Sequence, residues 1–237
     1  MSTAATLLIV IGALVIALGV FYGFSIVLSK VSSRIDSQRD ARPNPQISAW
    51  ASANGWAYRP EAPELVGRWA GQPFVTSNYR QSGIKAVQVI DGTSPCGRAF
   101  CSFTFRYTKA TINKYVKDNH RLWVVALRLS TTLPALSIYQ RGFGNHIAHA
   151  SDHTLFATGY QPFDQRYQVE TADQGFAATV LQPQTNLWLL GPGQSIVPFR
   201  IVGQDLLCWH SGEAPNGTPA LAAQLAALDE LAAALPH

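Results

Sequence analysis

Residues 2–29 carry no charged side chain, and most of them are Leu, Ile, Val, Ala, Phe and Gly. A bilayer core of about 30 Å is spanned by roughly 20 apolar helical residues at about 1.5 Å each. Residues 5–28 meet that length with a margin for tilt. A secretory signal would have a basic start, an apolar core of about 7–15 residues and a small-residue cleavage site at its polar end. Here nothing basic precedes the run, the run is too long, and its small residues lie inside it. A surface helix would need a polar face, which the run lacks. The sequence therefore predicts a transmembrane anchor over 1–29, with the bilayer as a partner through residues 5–28.

The flanks orient it. Lys30, Arg34, Arg39 and Arg42 follow the run and no Lys or Arg comes before it. Basic flanks mark the cytoplasmic side, so the expectation is a single-pass protein of the cell membrane with its C-terminal domain in the cytoplasm. Gly19 and Gly23 form a GxxxG pair, which allows weak self-association of two such helices. Three cysteines, Cys96, Cys101 and Cys208, are too few for a disulfide scaffold and suit a reducing compartment. A Cys96–Cys101 bridge stays open should the domain be exported.

Residues 30–45 are polar and read as a juxtamembrane linker, and 46–237 as one soluble domain long enough to bury a core. Asn44-Pro45 is a helix start, with Ile47, Trp50 and Ala51 on one face and Gly55 as the stop. A second short helix is expected over 63–70. The middle of the chain is strand-like: 56–58, 84–90 with an Asp91-Gly92 turn, 99–107, 122–129, 135–139, 155–158 and 166–170. In 99–107, Cys101, Phe103, Phe105 and Tyr107 alternate with Ser102, Thr104 and Arg106, the pattern of a sheet with one wet face. Helices are expected at 173–181 and 183–190, then strands at 195–202 and 205–209 joined by a Gly203-Gln204 hairpin. The last segment is an amphipathic helix. Thr218 caps, Pro219 begins, and Leu221, Leu225, Leu228, Leu231 and Leu235 form a stripe with Asp229 and Glu230 off it. The fold class that results is α+β: a transmembrane helix, then a mainly antiparallel β-sheet domain with short helices and a C-terminal amphipathic helix.

The segments AWASANGWAYRP, LVGRWAGQPF, GRAFCSFTFRYT, LWVVALRLSTTLPAL, FDQRYQVETADQGFAATVLQPQTNLWLL and IVGQDLLCWHSG cover most of 46–212 in order. Together they resemble a family of uncharacterised single-pass membrane proteins of actinobacteria, a domain of unknown function. The resemblance implies the anchor and the architecture and carries no activity. The stretches KATINKYVKDNH and GNHIAHASDH depart from the pattern, and no family role extends to them.

Signatures of catalysis are missing. There is no G-x-S-x-G, no phosphate-cradling P-loop, and the adjacent Asp229 and Glu230 point different ways on a helix. Cys101 falls within an apolar strand face, and Cys96 sits in a turn. One cluster has ligand chemistry: His146, His149 and His153, with Asp152, fall about one helical turn apart and could surround Zn²⁺. Cys208 and His210 share a strand face and are further ligands by type only. No cofactor is expected.

Charge is unevenly spread. Residues 80–128 hold nine Lys/Arg against Asp91 and Asp118, a balance of +7, while 152–237 hold two basic residues against eight acids, −6. Lys109, Lys114, Lys117 and Arg121, with Tyr115 among them, fall in or beside a hairpin loop. A helical turn there would set Lys114, Lys117 and Arg121 on one face. Beside an anionic leaflet each such cation contributes about 1 kcal/mol of attraction. No nucleic-acid motif accompanies them, so none is expected as partner. The leading expectation is a non-enzymatic interaction domain whose basic hairpin meets anionic lipid head groups or an acidic protein partner. The competing expectations are a metal-dependent enzyme using the His cluster and a small-molecule binding module lined by Trp50, Trp56, Trp69, Trp123, Trp188 and Trp209.

Overall fold

The computed structural model describes residues 44–74, 80–110, 117–141, 153–213 and 219–236. The expected anchor over 1–29 and most of the linker lie outside them. Among the described residues no helix is long and apolar enough to cross a membrane. Residues 43–237 form one compact unit.

The backbone of that unit is a seven-stranded antiparallel sheet: β1 (Ala57–Glu61), β2 (Arg80–Thr93), β3 (Ala99–Ala110), β4 (Lys117–Gln140), β5 (Thr154–Phe156), β6 (Tyr167–Thr171) and β7 (Phe199–Ser211). β1 to β4 pair in chain order. The 24-residue β4 is the spine. Its first half lies between β3 and β7, its second half between β7 and β6, and β5 closes the far edge. The expected strands at 122–129 and 135–139 are thus one. Their separation in the sequence marks a break in the β4–β7 ladder between Arg128 and Leu136. Pro134 sits there with no N–H to donate, which confines it to such an irregularity.

Two sequence-based turns fall inside strands. The expected Gly203-Gln204 hairpin is absent: β7 runs straight through, with Gly203 at φ +59° opposite Leu133 in the broken ladder. Nor do Asp91 and Gly92 turn the chain, since both pair with β3. The turn comes later, where Ser94 N–H donates to the Arg98 carbonyl and Gly97 takes φ +82°. Gly92 is there for space: a Cβ on it would lie 2.2 Å from Cδ1 of Trp56.

Helices α1 (Pro45–Ala53), α2 (Gln161–Arg166), α3 (Gln174–Val180), α4 (Pro183–Leu190) and α5 (Pro219–Ala234) supply one face. Asn44 Oδ1 caps α1, accepting from the N–H groups of Gln46 and Ile47 at 3.1 and 3.3 Å. Ile47, Ala51, Phe163, Phe176, Leu189 and the whole α5 leucine stripe join Val125, Leu127, Leu136, Ile138, Phe199 and Ile201 in the larger core. The second expected helix shrinks to a 3₁₀ turn, Pro63–Leu65. It and the chain to Phe74 cross the opposite face, where Leu65, Trp69 and Phe74 cover Cys101, Phe103, Phe105 and Val124.

The sheet therefore has no wet face at its centre. Ser102 and Thr104 are buried, and their polar atoms are used internally: Trp123 Nε1 donates to Ser102 Oγ at 2.8 Å, and Thr104 Oγ1 bonds Gln88 Oε1 at 3.2 Å. Asp229 is likewise inside, 3% exposed, although stripe logic places it in solvent. It receives Ser94 Oγ–H, Cys96 N–H and Arg98 Nη1 at 3.0 to 3.2 Å, tying α5 to the β2–β3 turn.

Candidate functional site

Strand alternation gives the β3–β4 hairpin two chemically distinct faces. Phe105 lies opposite Leu122 and belongs to the second core, so the next rung, Arg106 opposite Arg121, faces the other way. In the same rung Lys85 of β2 lies opposite Arg106. Lys85, Arg106 and Arg121 are consecutive across three strands, all at least partly exposed. Two rungs further out Ser82, Thr108 and Asn119 line up, followed by Arg80, Ala110 and Lys117. The cationic row is joined by acids at its ends: Lys85 Nζ lies 3.4 Å from Glu61, and Arg121 ion-pairs with Glu213. Arg106 also has an interaction within the fold.

The register separates the residues that sequence grouped. Lys117 sits opposite Ala110 and Lys109 opposite Asp118, so positions 117 and 121 share a face and position 109 alternates to the other. Lys114 falls outside the described residues, as does the expected helical turn around it. Nothing in the sequence alone groups Lys85 and Arg106 with Arg121. Arg106 was visible as the odd member of an apolar alternation, but only the strand register brings it beside Lys85 and Arg121.

Much of the sequence's charge asymmetry is internal complementarity. Arg98 of the basic stretch pairs with Asp229, and Arg128 with Asp205 at 3.0 Å. Asp205 also receives Trp69 Nε1 at 2.9 Å and Arg68 at 3.3 Å, which anchors the covering segment to β7. Away from the sheet end, Arg59 bridges Glu64 and Asp91. The Arg59 guanidinium holds the Glu64 carboxyl below its ordinary value, and the two carboxylates raise Arg59 in return, through their hydrogen bonds to it.

The other candidates separate as follows. His146 and His149 lie outside the described residues, and His153 is half-buried just ahead of β5. Among the described residues no three His, Cys, Asp or Glu side chains gather as a metal site. Cys208 and His210 do share a face of β7, against α5, where Gln224 Nε2 lies 3.1 Å from Cys208 Sγ. Burial pushes the Cys208 thiol up to about 12 and does the same to Cys101. A thiol so held stays protonated at neutral pH, and the thiolate is the nucleophile, so neither serves nucleophilic chemistry. All three cysteines are free, with Cys96 exposed. Of the six tryptophans, Trp69, Trp123 and Trp209 are buried, while Trp50, Trp56 and Trp188 are half-buried against the larger core.

No protein-family model matches the chain, and comparison with curated proteins gives no match. Among solved structures, the domain resembles the crystal structure of the mycobacterial trehalose monomycolate transport factor A. The TM-score is 0.56 at 16% identity, over 81% of this chain and 95% of that one. At that identity the likeness is one of fold: a mainly antiparallel sheet with helices packed on it.

Proposed function

We propose that this chain is a membrane-associated, non-enzymatic interaction domain, held to the bilayer by residues 5–28 on the cytoplasmic side. Its basic sheet end, including Lys109, Lys114, Lys117 and Arg121, meets anionic lipid head groups. The observation that carries the reading is the concentration of cations on the outer rungs of β2, β3 and β4, where Lys85, Arg106 and Arg121 lie side by side. Cross-strand like charges cost stability, and the two acids that pair with the row, Glu61 and Glu213, are fewer than its three cations. The fold neighbour is a transport factor. An acidic protein face is the second reading, favoured by the same cations.

Flotation of residues 43–237 with vesicles tests it. The domain should float with vesicles containing phosphatidylglycerol and stay down with neutral ones. Reversing charge at Lys109, Lys114 and Lys117 together should remove most of that binding, given about 1 kcal/mol per cation. Equal flotation by both forms, or none by either, overturns the lipid reading.

A further inference from the structure

The outer sheet end contains more than diffuse charge. Residues directly opposite on neighbouring antiparallel strands have Cα atoms about 4.5–5.5 Å apart. Arg106 and Arg121 are such a pair, and Lys85 is the next position in the same rung. Arg binds phosphate oxygens through paired N–H donors, while Lys acts as a point charge. The margins are held as well. Glu213 engages Arg121 and Glu61 engages Lys85, so the side chains at both ends of the row are restrained by carboxylates outside it. With those two acids counted, the five groups keep a charge of +1. Lys109 pairs in register with Asp118 and alternates to the opposite face of the sheet.

We propose that the Lys85–Arg106–Arg121 row is a binding site for a single phosphate group, that of a phospholipid head group, with Arg106 and Arg121 gripping its oxygens and Lys85 adding charge. The site rests on the reading of the sheet end as a membrane-facing surface, and it makes that contact a stoichiometric, saturable one. It also separates the faces: Lys109 adds general attraction and does not touch the phosphate.

The experiment uses the full chain in dodecyl maltoside micelles, titrated calorimetrically with soluble glycerol phosphate and, separately, with micelles doped with phosphatidylglycerol. Wild type should bind the doped micelles saturably, about one lipid per chain. Arg106→Gln and Arg121→Gln should each weaken binding at least tenfold, and Lys109→Gln should stay within threefold. Circular dichroism and thermal unfolding of each variant check that the sheet is kept, and Arg121, already well exposed, keeps the test open should Arg106→Gln disturb folding. Binding of glycerol phosphate as well assigns the contact to the phosphate whatever its source, and binding of doped micelles alone assigns it to the lipid; both support the site. Equal losses in all three variants with binding retained in wild type overturn the site and leave the membrane reading standing. No binding of doped micelles by wild type overturns both.

Discussion

His210 illustrates what a single residue contributes once its neighbours are known. It lies on β7 facing the larger core, its ring 5.5 Å from that of Trp123. Burial pulls its pKa below the ordinary 6.5, and Gln224 draws it only part of the way back. The sign of the consequence follows: the unfolded chain takes up this proton more readily than the folded one, so stability is fully present above about pH 6.5 and falls as pH drops through the folded value. Thermal unfolding between pH 7.5 and 5 should therefore show a declining midpoint, and His210→Gln should flatten the part of that decline beginning near 6.5. An unchanged slope in the variant sinks the assignment. Sequence placed Cys208 and His210 on one strand face correctly, because alternation is local. It could not tell that the face is sealed by α5, since that packing joins β7 to a helix further along the chain, a contact that no local pattern encodes.

At the scale of elements, α1, α3, α4 and α5 were legible because caps, prolines and leucine spacing are encoded within each segment. The strand map was legible in outline. Where it failed, the determinants were distant: Gly92 answers to Trp56, and Gly203 to the break opposite Leu133. Asp229 is the sharpest case. The leucine stripe predicts solvent for it, yet it is the joint between α5 and the β2–β3 turn, accepting three hydrogen bonds from Ser94, Cys96 and Arg98. Replacing Asp229 with Ala would strand a partly buried guanidinium and two donors, at a cost of roughly 2–4 kcal/mol. Urea unfolding of residues 43–237 should show that loss as a lower midpoint with an unchanged slope, whereas Glu230→Ala, one residue on and exposed, should stay within about 0.5 kcal/mol. Equal effects would mean that the joint is not what holds the turn.

For the whole molecule, the division of charge along the sequence was real, but its meaning changed on folding. The acidic C-terminal half returns to the basic middle because β7 pairs with β4 across some 60–90 residues of chain, a neighbour relation that no local pattern announces. Arg98 and Arg128 are neutralised by Asp229 and Asp205, while at one end of the sheet the Lys85, Arg106 and Arg121 row outnumbers the two acids, Glu61 and Glu213, that pair with it. Under the proposed anchoring by residues 5–28, the leaflet that end meets follows from the orientation expected of Lys30, Arg34, Arg39 and Arg42, which puts the domain inside. A cysteine at Ser37, within the linker, reports this through a membrane-impermeant maleimide. The exposed Cys96 would react as well, so the experiment belongs in a Cys96→Ser background; the two remaining thiols are buried and held near 12, and stay silent while the domain is folded. The expected outcome is no labelling of Ser37→Cys in intact cells and full labelling once they are permeabilised. Labelling in intact cells would put the domain on the outer side and remove the cytoplasmic leaflet as the surface its basic end meets.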